Sequence, residues 1–137
     1  MITITLRPNA IHSYQLPDIP DYTSVNWRVS ASPHIWRPPT DLFEVEDSYV
    51  VRIEIAGMNE ENFEIVLDQN ILIVRGVRPD ISERRSFHQM EINFGEFIAA
   101  VEIHGAIDSS AVSAEYKNGF LWIRLPKTQP KHIPINE

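Results

Sequence analysis

The chain has 137 residues, of which 43% are hydrophobic, enough for one domain with a single core. It has no cysteine, which excludes disulfide scaffolds, thiolate zinc sites and cysteine nucleophiles and makes the cytoplasm the expected location. The net charge of −7 at pH 7 argues against a nucleic-acid partner, and no apolar run reaches the roughly 18 residues that span a bilayer.

Residues 1–38 form an N-terminal arm with its own composition. Residues 1–6 alternate between apolar and polar side chains, which predicts a short strand provided that another strand pairs with it. The many prolines that follow exclude a long helix, so we expect irregular chain up to Pro39. The arm is too apolar for an ordinary polar tail, and its aromatic residues are Tyr14, Tyr22, Trp27 and Trp36.

Residues 39–127 predict about seven or eight short strands at roughly ten-residue spacing, which is typical of a β-sandwich. The strands are expected at 41–46, 49–56, 63–67, 71–75, 97–103, 112–116 and 120–125. Between them we expect one helical turn at 59–62, a positive φ at Asn70 and a strand end at Gly76. Residues 78–90 form a loop longer than a hairpin needs.

The last two strands predict a β-hairpin. Asn118-Gly119 supplies the two positive-φ positions of a type I′ turn. Phe120 to Leu125 is apolar on both faces, so we expect this strand to be buried on both sides. Pro126 ends the strand because it has no N–H to donate.

No catalytic or metal-binding pattern is present in the sequence. The five histidines are far apart, and there is neither a glycine-rich phosphate loop nor a nucleophile elbow. We therefore expect a protein that is not an enzyme, binds no metal or cofactor, and acts through its surfaces.

Two segments are candidates for binding another chain. The C-terminal extension, residues 128–137, holds Ile133-Pro134-Ile135, an extended apolar segment suited to adding to a sheet edge. The long loop carries Phe87 and Met90, which can reach an edge strand of a neighbouring chain. For both segments the alternative is an unattached, solvated stretch of chain.

The chain resembles the small heat-shock protein family of bacterial type, with its alpha-crystallin domain. The family's signature matches Ala114, Asn118-Gly119, Leu121 and Leu125-Pro126-Lys127. Further matches lie at 39–44, 49–51, 55–58 and 71–76, and the tail corresponds to the family's Ile-x-Ile anchor. Two positions depart from the family pattern: Ala99 stands where an arginine is common, and His104 where a proline is common.

The resemblance implies an immunoglobulin-like β-sandwich that forms dimers and larger homo-oligomers. The loop would carry a strand that is exchanged between subunits, with contacts at Leu42, Phe43, Val45, Phe87 and Met90. The tail isoleucines would enter a groove of a neighbouring dimer lined by Phe63, Ile65, Leu67, Val112, Ala114 and Tyr116. Ile2-Thr3-Ile4 repeats the tail pattern, and it can compete for the same groove or pair with another edge.

The function implied by the resemblance is that of an ATP-independent holdase, which catches unfolding client proteins through the arm aromatics. The alternative is a co-chaperone or adaptor of the related sandwich type that binds one folded partner. Such an adaptor needs neither the tail anchor nor the long exchange loop, and both are present in this sequence.

Overall fold

A computed structural model of the protein describes residues 2–7 and 35–129. The described chain is built of β-strands joined by loops and two short 3₁₀ turns, at Glu60–Asn62 and Ser109–Ala111. The strands are β1 (Ile4–Arg7), β2 (Thr40–Glu44), β3 (Ser48–Glu54), β4 (Glu64–Asp68), β5 (Ile71–Arg78), β6 (Gly95–Glu102), β7 (Ser113–Lys117) and β8 (Phe120–Pro126). In this part of the chain, no helix has the length and apolar character needed to cross a membrane.

The strands form two four-stranded sheets packed as a sandwich. One sheet has the order β1-β4-β5-β6 and the other the order β2-β3-β8-β7. Neighbouring strands are antiparallel except β1 and β4, which run parallel. The predicted sandwich is therefore confirmed, and the strand expected at residues 1–6 has a partner.

The core lies between the two sheets and is built from alternate residues of their facing strands. Val51 and Ile53 of β3 and Leu72 and Val74 of β5 are almost wholly inaccessible to solvent. This period of two is what a strand with one buried face requires. A smaller apolar cluster, Val66, Ile73 and Ile98, lies on the other face of the first sheet with Ile35, Ile71 and Ala100 packed against it.

The hairpin of β7 and β8 has the predicted turn, with φ of 53° at Asn118 and 79° at Gly119. The expectation that β8 is buried on both faces is wrong. Leu121, Ile123 and Leu125 are fully buried, but Phe120 and Trp122 are only half-buried and Arg124 is exposed. On the outer face of β8, Trp122 is covered in part by the guanidinium of Arg52, which lies 5.6 Å from its ring centroid, and not by a further layer of the fold.

Two further local predictions are wrong. The positive φ in the loop between β4 and β5 is at Gln69 (55°) and not at Asn70, whose side-chain amide instead donates to the backbone carbonyl of Ile103 at 2.8 Å. Gly76 does not end β5, which continues to Arg78. A glycine is needed inside this strand because a Cβ there would lie 2.8 Å from a ring carbon of Phe97.

Candidate functional site

The six residues predicted to line the groove are brought together at one edge of the sandwich. Phe63 and the β4 residues Ile65 and Leu67 belong to the core cluster between the sheets. Val112, Ala114 and Tyr116, in and just before β7, are half-buried and pack against the same cluster from the opposite sheet. We call the space between β4 and β7 the β4–β7 groove.

Tyr116 closes the sandwich at one end of the β4–β7 groove. Its ring lies 5.1 Å from that of Phe63, between centroids, at an interplanar angle of 56°. Its hydroxyl donates to the carbonyl of Ile55 at 2.8 Å and accepts from the backbone N–H of Met58 at 3.3 Å. The hydroxyl thus satisfies backbone groups that a purely apolar side chain would leave unpaired.

The β4–β7 groove is occupied by the chain's own β1. Ile4 lies opposite Ile65 and Leu6 opposite Leu67 in the parallel ladder. Ile2 and Ile4 are half-buried against the core cluster, while Thr3 and Thr5 point to solvent. A depression of about 490 Å³ remains between β1 and β7, and its wall includes Ile2, Ile4, Val112 and Ala114.

The residues predicted to take part in dimer exchange are all exposed. Leu42, Phe43 and Val45, in and just after the edge strand β2, have exposed fractions of 37% to 40%. Phe87 and Met90, in the segment between β5 and β6, have exposed fractions of 53% and 66%. In the single chain the two groups do not form a common strand pair.

The segment between β5 and β6 is held to the sandwich at its base by Arg78. The Arg78 guanidinium lies 4.4 Å from the ring centroid of Trp36 and 5.3 Å from that of Phe94, and its Nε donates to the carbonyl of Asn93 at 2.9 Å. Beyond these contacts, the segment exposes two isoleucines that sequence reasoning missed, Ile81 and Ile92. Both isoleucines stand in a mostly charged loop, and this contrast is the sequence signal that indicates an exposed apolar surface.

Trp36, which the family resemblance places among the client-binding aromatics of the arm, is attached to the sandwich. Its backbone N–H donates to Glu96 and its carbonyl accepts from Ile98, both at 3.0 Å. Its ring packs 5.8 Å from that of Phe97, so only part of it is exposed. The other three arm aromatics, Tyr14, Tyr22 and Trp27, lie outside the described residues.

The root of the C-terminal extension is tied to the β2 edge through Lys127. Its ammonium is 2.7 Å from a carboxylate oxygen of Glu44, and its backbone N–H donates to Asp47 at 2.9 Å. The hydrogen bond from Lys127, and then the charge of its ammonium, lower the pKa of Glu44, and the hydrogen bond to Glu44 raises the pKa of Lys127. The tail anchor Ile133-Pro134-Ile135 lies outside the described residues.

Besides charged side chains, the described chain exposes apolar surfaces and strand edges. Among residues 2–7 and 35–129, no group of three or more acidic or histidine side chains is placed to hold a metal ion. The apolar surfaces that remain open to another chain are the depression between β1 and β7, the β2 edge and the segment between β5 and β6.

Comparison with known proteins identifies the family. A model of the Hsp20/alpha crystallin family matches residues 41–136. The chain belongs to this family. Members of this family are generally not enzymes.

Two similar relatives are small heat shock proteins C2 and C4 of Rickettsia felis. Each is 30% identical to this chain, C2 over 94 residues and C4 over 97. These alignments cover 67% and 69% of this chain. The chain spans about three fifths of the length of these relatives, 61% and 60%.

Solved structures of the family share the fold. The hspA protein of Xanthomonas axonopodis is 29% identical with a TM-score of 0.62, and the match covers 67% of this chain and 94% of that one. A small heat-shock protein of Xylella fastidiosa, described as having a distinct high order structure, is 25% identical with a TM-score of 0.62 over 74% of this chain and 98% of that one. The sandwich is thus an alpha-crystallin domain.

Ala99, the first departure from the family pattern, lies in the core of the sandwich. Ala99 belongs to the core cluster and is almost wholly buried on β6, next to Val74 of β5. A small apolar side chain at this position packs without needing a charge partner. His104, the second departure, lies on the exposed surface just after β6.

Proposed function

We propose that this chain is an ATP-independent holdase of the cytoplasm that assembles from dimers into larger homo-oligomers and binds unfolding client proteins. The observation that carries the proposal is the exposed apolar edge at Leu42, Phe43 and Val45, together with a long segment exposing Phe87 and Met90. Exposed apolar side chains on an edge strand are a liability for a monomer and are normally covered.

The dimer forms when residues 86–90 of one subunit pair with residues 42–45 of another. β2 pairs with β3 on one side, and its other edge has no partner within the described chain. A strand from a second copy satisfies these backbone groups and covers the apolar side chains. The exchange is reciprocal, so a two-fold dimer covers both edges.

Larger species form through the tail, whose Ile133 and Ile135 bind in the β4–β7 groove of a neighbouring dimer. Burying each isoleucine contributes about 1.5–3 kcal/mol at most, and ordering the tail costs about 1–2 kcal/mol per residue. One contact is therefore weak, because the gain from burial and the cost of ordering are of similar size. Many such contacts in a closed oligomer reinforce one another through effective concentration.

The weakness of each tail contact supports the holdase function. An oligomer built from weak, repeated contacts holds together yet exchanges subunits, and exchange makes apolar arm and groove surfaces available to clients. No step in this cycle requires nucleotide, because binding is driven by burial of apolar surface that the client exposes on unfolding.

The tail contact is tested with Ile133→Ala combined with Ile135→Ala. We expect a folded dimer that forms no larger species, measured as mass by light scattering after size exclusion. The matched control is Thr128→Ala combined with Gln129→Ala, two exposed positions in the same extension, which should assemble normally. An unchanged elution profile for the isoleucine variant would contradict the proposed tail contact.

Holdase activity is measured by light scattering from a heat-labile protein, with and without this chain and with no nucleotide present. We expect the chain to suppress the rise in scattering as its concentration approaches that of the client. Failure to suppress aggregation, together with a monomeric mass, would contradict the holdase and favour the adaptor that binds one folded partner.

A further inference from the structure

We propose that β1 is a competitor in cis for the β4–β7 groove, so that the tail of a second copy docks only where β1 has left. The inference rests on the proposed function, because it takes Ile133 and Ile135 as the second occupant. It adds that the chain carries two segments of the same kind, of which only one can pair with a given β4 edge.

The first support is the match between the two segments. Residues 2–4 read Ile-Thr-Ile and residues 133–135 read Ile-Pro-Ile. Ile4 of β1 and Ile2, two residues before it, pack against the core cluster, while Thr3 and Thr5 are exposed. The segment from Ile2 to Leu6 thus places apolar side chains at every second residue, the alternation that the tail would use, and its Ile4 and Leu6 lie opposite Ile65 and Leu67.

The second support is that the β4 edge accepts a single strand. β4 pairs with β5 on one side and with β1 on the other, from the Ile4–Ile65 pair to the Arg7–Asp68 pair. Its backbone groups on the β1 side are thus already hydrogen-bonded. The depression that remains is walled by β1 itself, so a tail strand reaches Ile65 and Leu67 only if β1 moves away.

The third support is that β1 is weakly held. It is four residues long, its Ile4 and the preceding Ile2 are only half-buried, and Leu6, opposite Leu67, is 40% exposed. Short elements with few buried apolar contacts open at low free-energy cost. Because β1 opens readily, it weakens the binding of the tail without abolishing it. The apparent affinity of the tail is then its intrinsic affinity reduced by the fraction of time that the groove is free.

The absence of cysteine from the whole chain allows β1 to be locked in place by one engineered disulfide. Extending the parallel register by one residue from the Ile4–Ile65 pair places Thr3 opposite Glu64, and both side chains are exposed. Glu64 pairs with Arg75 at 3.0 Å, but an exposed ion pair of this kind adds little to stability, so Glu64→Cys should fold.

The experiment uses the full chain carrying Ile133→Ala and Ile135→Ala, so that its own tail does not compete. Thr3→Cys and Glu64→Cys are added, and the probe is a fluorescent synthetic peptide of residues 128–137. Mass spectrometry checks that the disulfide is intramolecular. The controls are Thr3→Cys alone and a chain lacking residues 1–7.

We expect the oxidised chain to lose detectable peptide binding and reduction to restore it. Removal of residues 1–7 should tighten binding by about tenfold if the groove is open one-tenth of the time. Equal binding to the oxidised, reduced and truncated chains would overturn the competition and leave the tail anchor standing. No binding even to the truncated chain would overturn the tail anchor, and the competition with it.

Discussion

The ammonium of Lys127 lies 2.7 Å from the carboxylate of Glu44, and this ion pair joins the end of the sandwich to the β2 edge. Lys127 follows β8 directly, at the point where the chain turns toward the extension that holds the tail anchor. Glu44 is the last residue of β2, beside the apolar residues proposed to meet a second subunit. The pair therefore links the two surfaces through which we propose that the protein assembles.

This ion pair predicts how stability depends on pH. The pKa of Glu44 is lowered from its ordinary value of 4.5, so its contribution is complete above 4.5 and is lost as pH falls through the lower folded-state value. The pKa of Lys127 is raised from 10.5, so its contribution is complete below 10.5 and is lost as pH rises through the higher folded-state value.

Glu44→Gln should therefore have a lower urea midpoint than the natural chain at pH 7, and the gap should close as pH falls below 4.5. The measurement is urea unfolding of both proteins at steps from neutral to acidic pH. Glu46→Gln is the control, because Glu46 accepts from Lys127 through its backbone carbonyl, at 3.2 Å, which the substitution keeps. A gap that stays constant or widens on acidification would contradict the prediction.

A second prediction concerns Gly76, in the interior of β5. A Cβ at this position would lie 2.8 Å from a ring carbon of Phe97 and 2.9 Å from the backbone oxygen of Asn62. Overpacking of this kind costs about 1–3 kcal/mol, so Gly76→Ala should lower the free energy of unfolding by that amount in urea denaturation. The control is Val77→Ala at the exposed next position, with a change of about 1 kcal/mol at most.

If Gly76→Ala proved as stable as the natural chain, the ring of Phe97 would not be held where the structure places it. Phe97 is almost wholly buried and touches both Trp36 and Phe63. Its ring has little room to move, which is why we expect the cost to be measurable.

A third prediction tests the proposed exchange segment. Phe87→Ser combined with Met90→Ser removes two exposed apolar side chains, each worth about 1.5–3 kcal/mol when buried. We expect the dimer dissociation constant to rise about a hundredfold or more. The measurement is the mass by light scattering over a dilution series, in the background of the two tail substitutions.

Ile81→Ser is the matched control for this prediction. Ile81 is as exposed as Phe87 and Met90 but lies outside residues 86–90. It should leave the dimer intact. A dimer that survives the double substitution but is lost on Ile81→Ser would move the interface to the earlier part of the segment.

Much of the sandwich was predictable because strand formation leaves a local mark. Alternation of period two places β3, β4 and β6 within a few residues of where the structure has them. Asn118-Gly119 predicts its turn because positive φ is a property of the residues themselves. The family motifs are likewise short stretches of sequence, and the family is confirmed by the match over residues 41–136.

The errors arise where a residue's role depends on a distant part of the chain. Phe120 and Trp122 are apolar, but whether a second layer covers them is decided by the other elements of the fold. Asn70 suits a positive φ, yet its amide is used to bind the carbonyl of Ile103, 33 residues away, and Gln69 takes the turn position. Gly76 looks like a strand end because its contact with Phe97 is not visible in the sequence.

By itself, the sequence determined the fold class, the hairpin, the family and the absence of cysteine chemistry, because each depends on residue types at short spacing. Only the tertiary structure decided what pairs with the first strand. Ile2 and Ile4 have the same pattern as other isoleucine pairs in the chain, and the pattern does not select an edge. The first strand pairs with β4 because, without it, the edge of β4 offers unpaired backbone groups beside an apolar core.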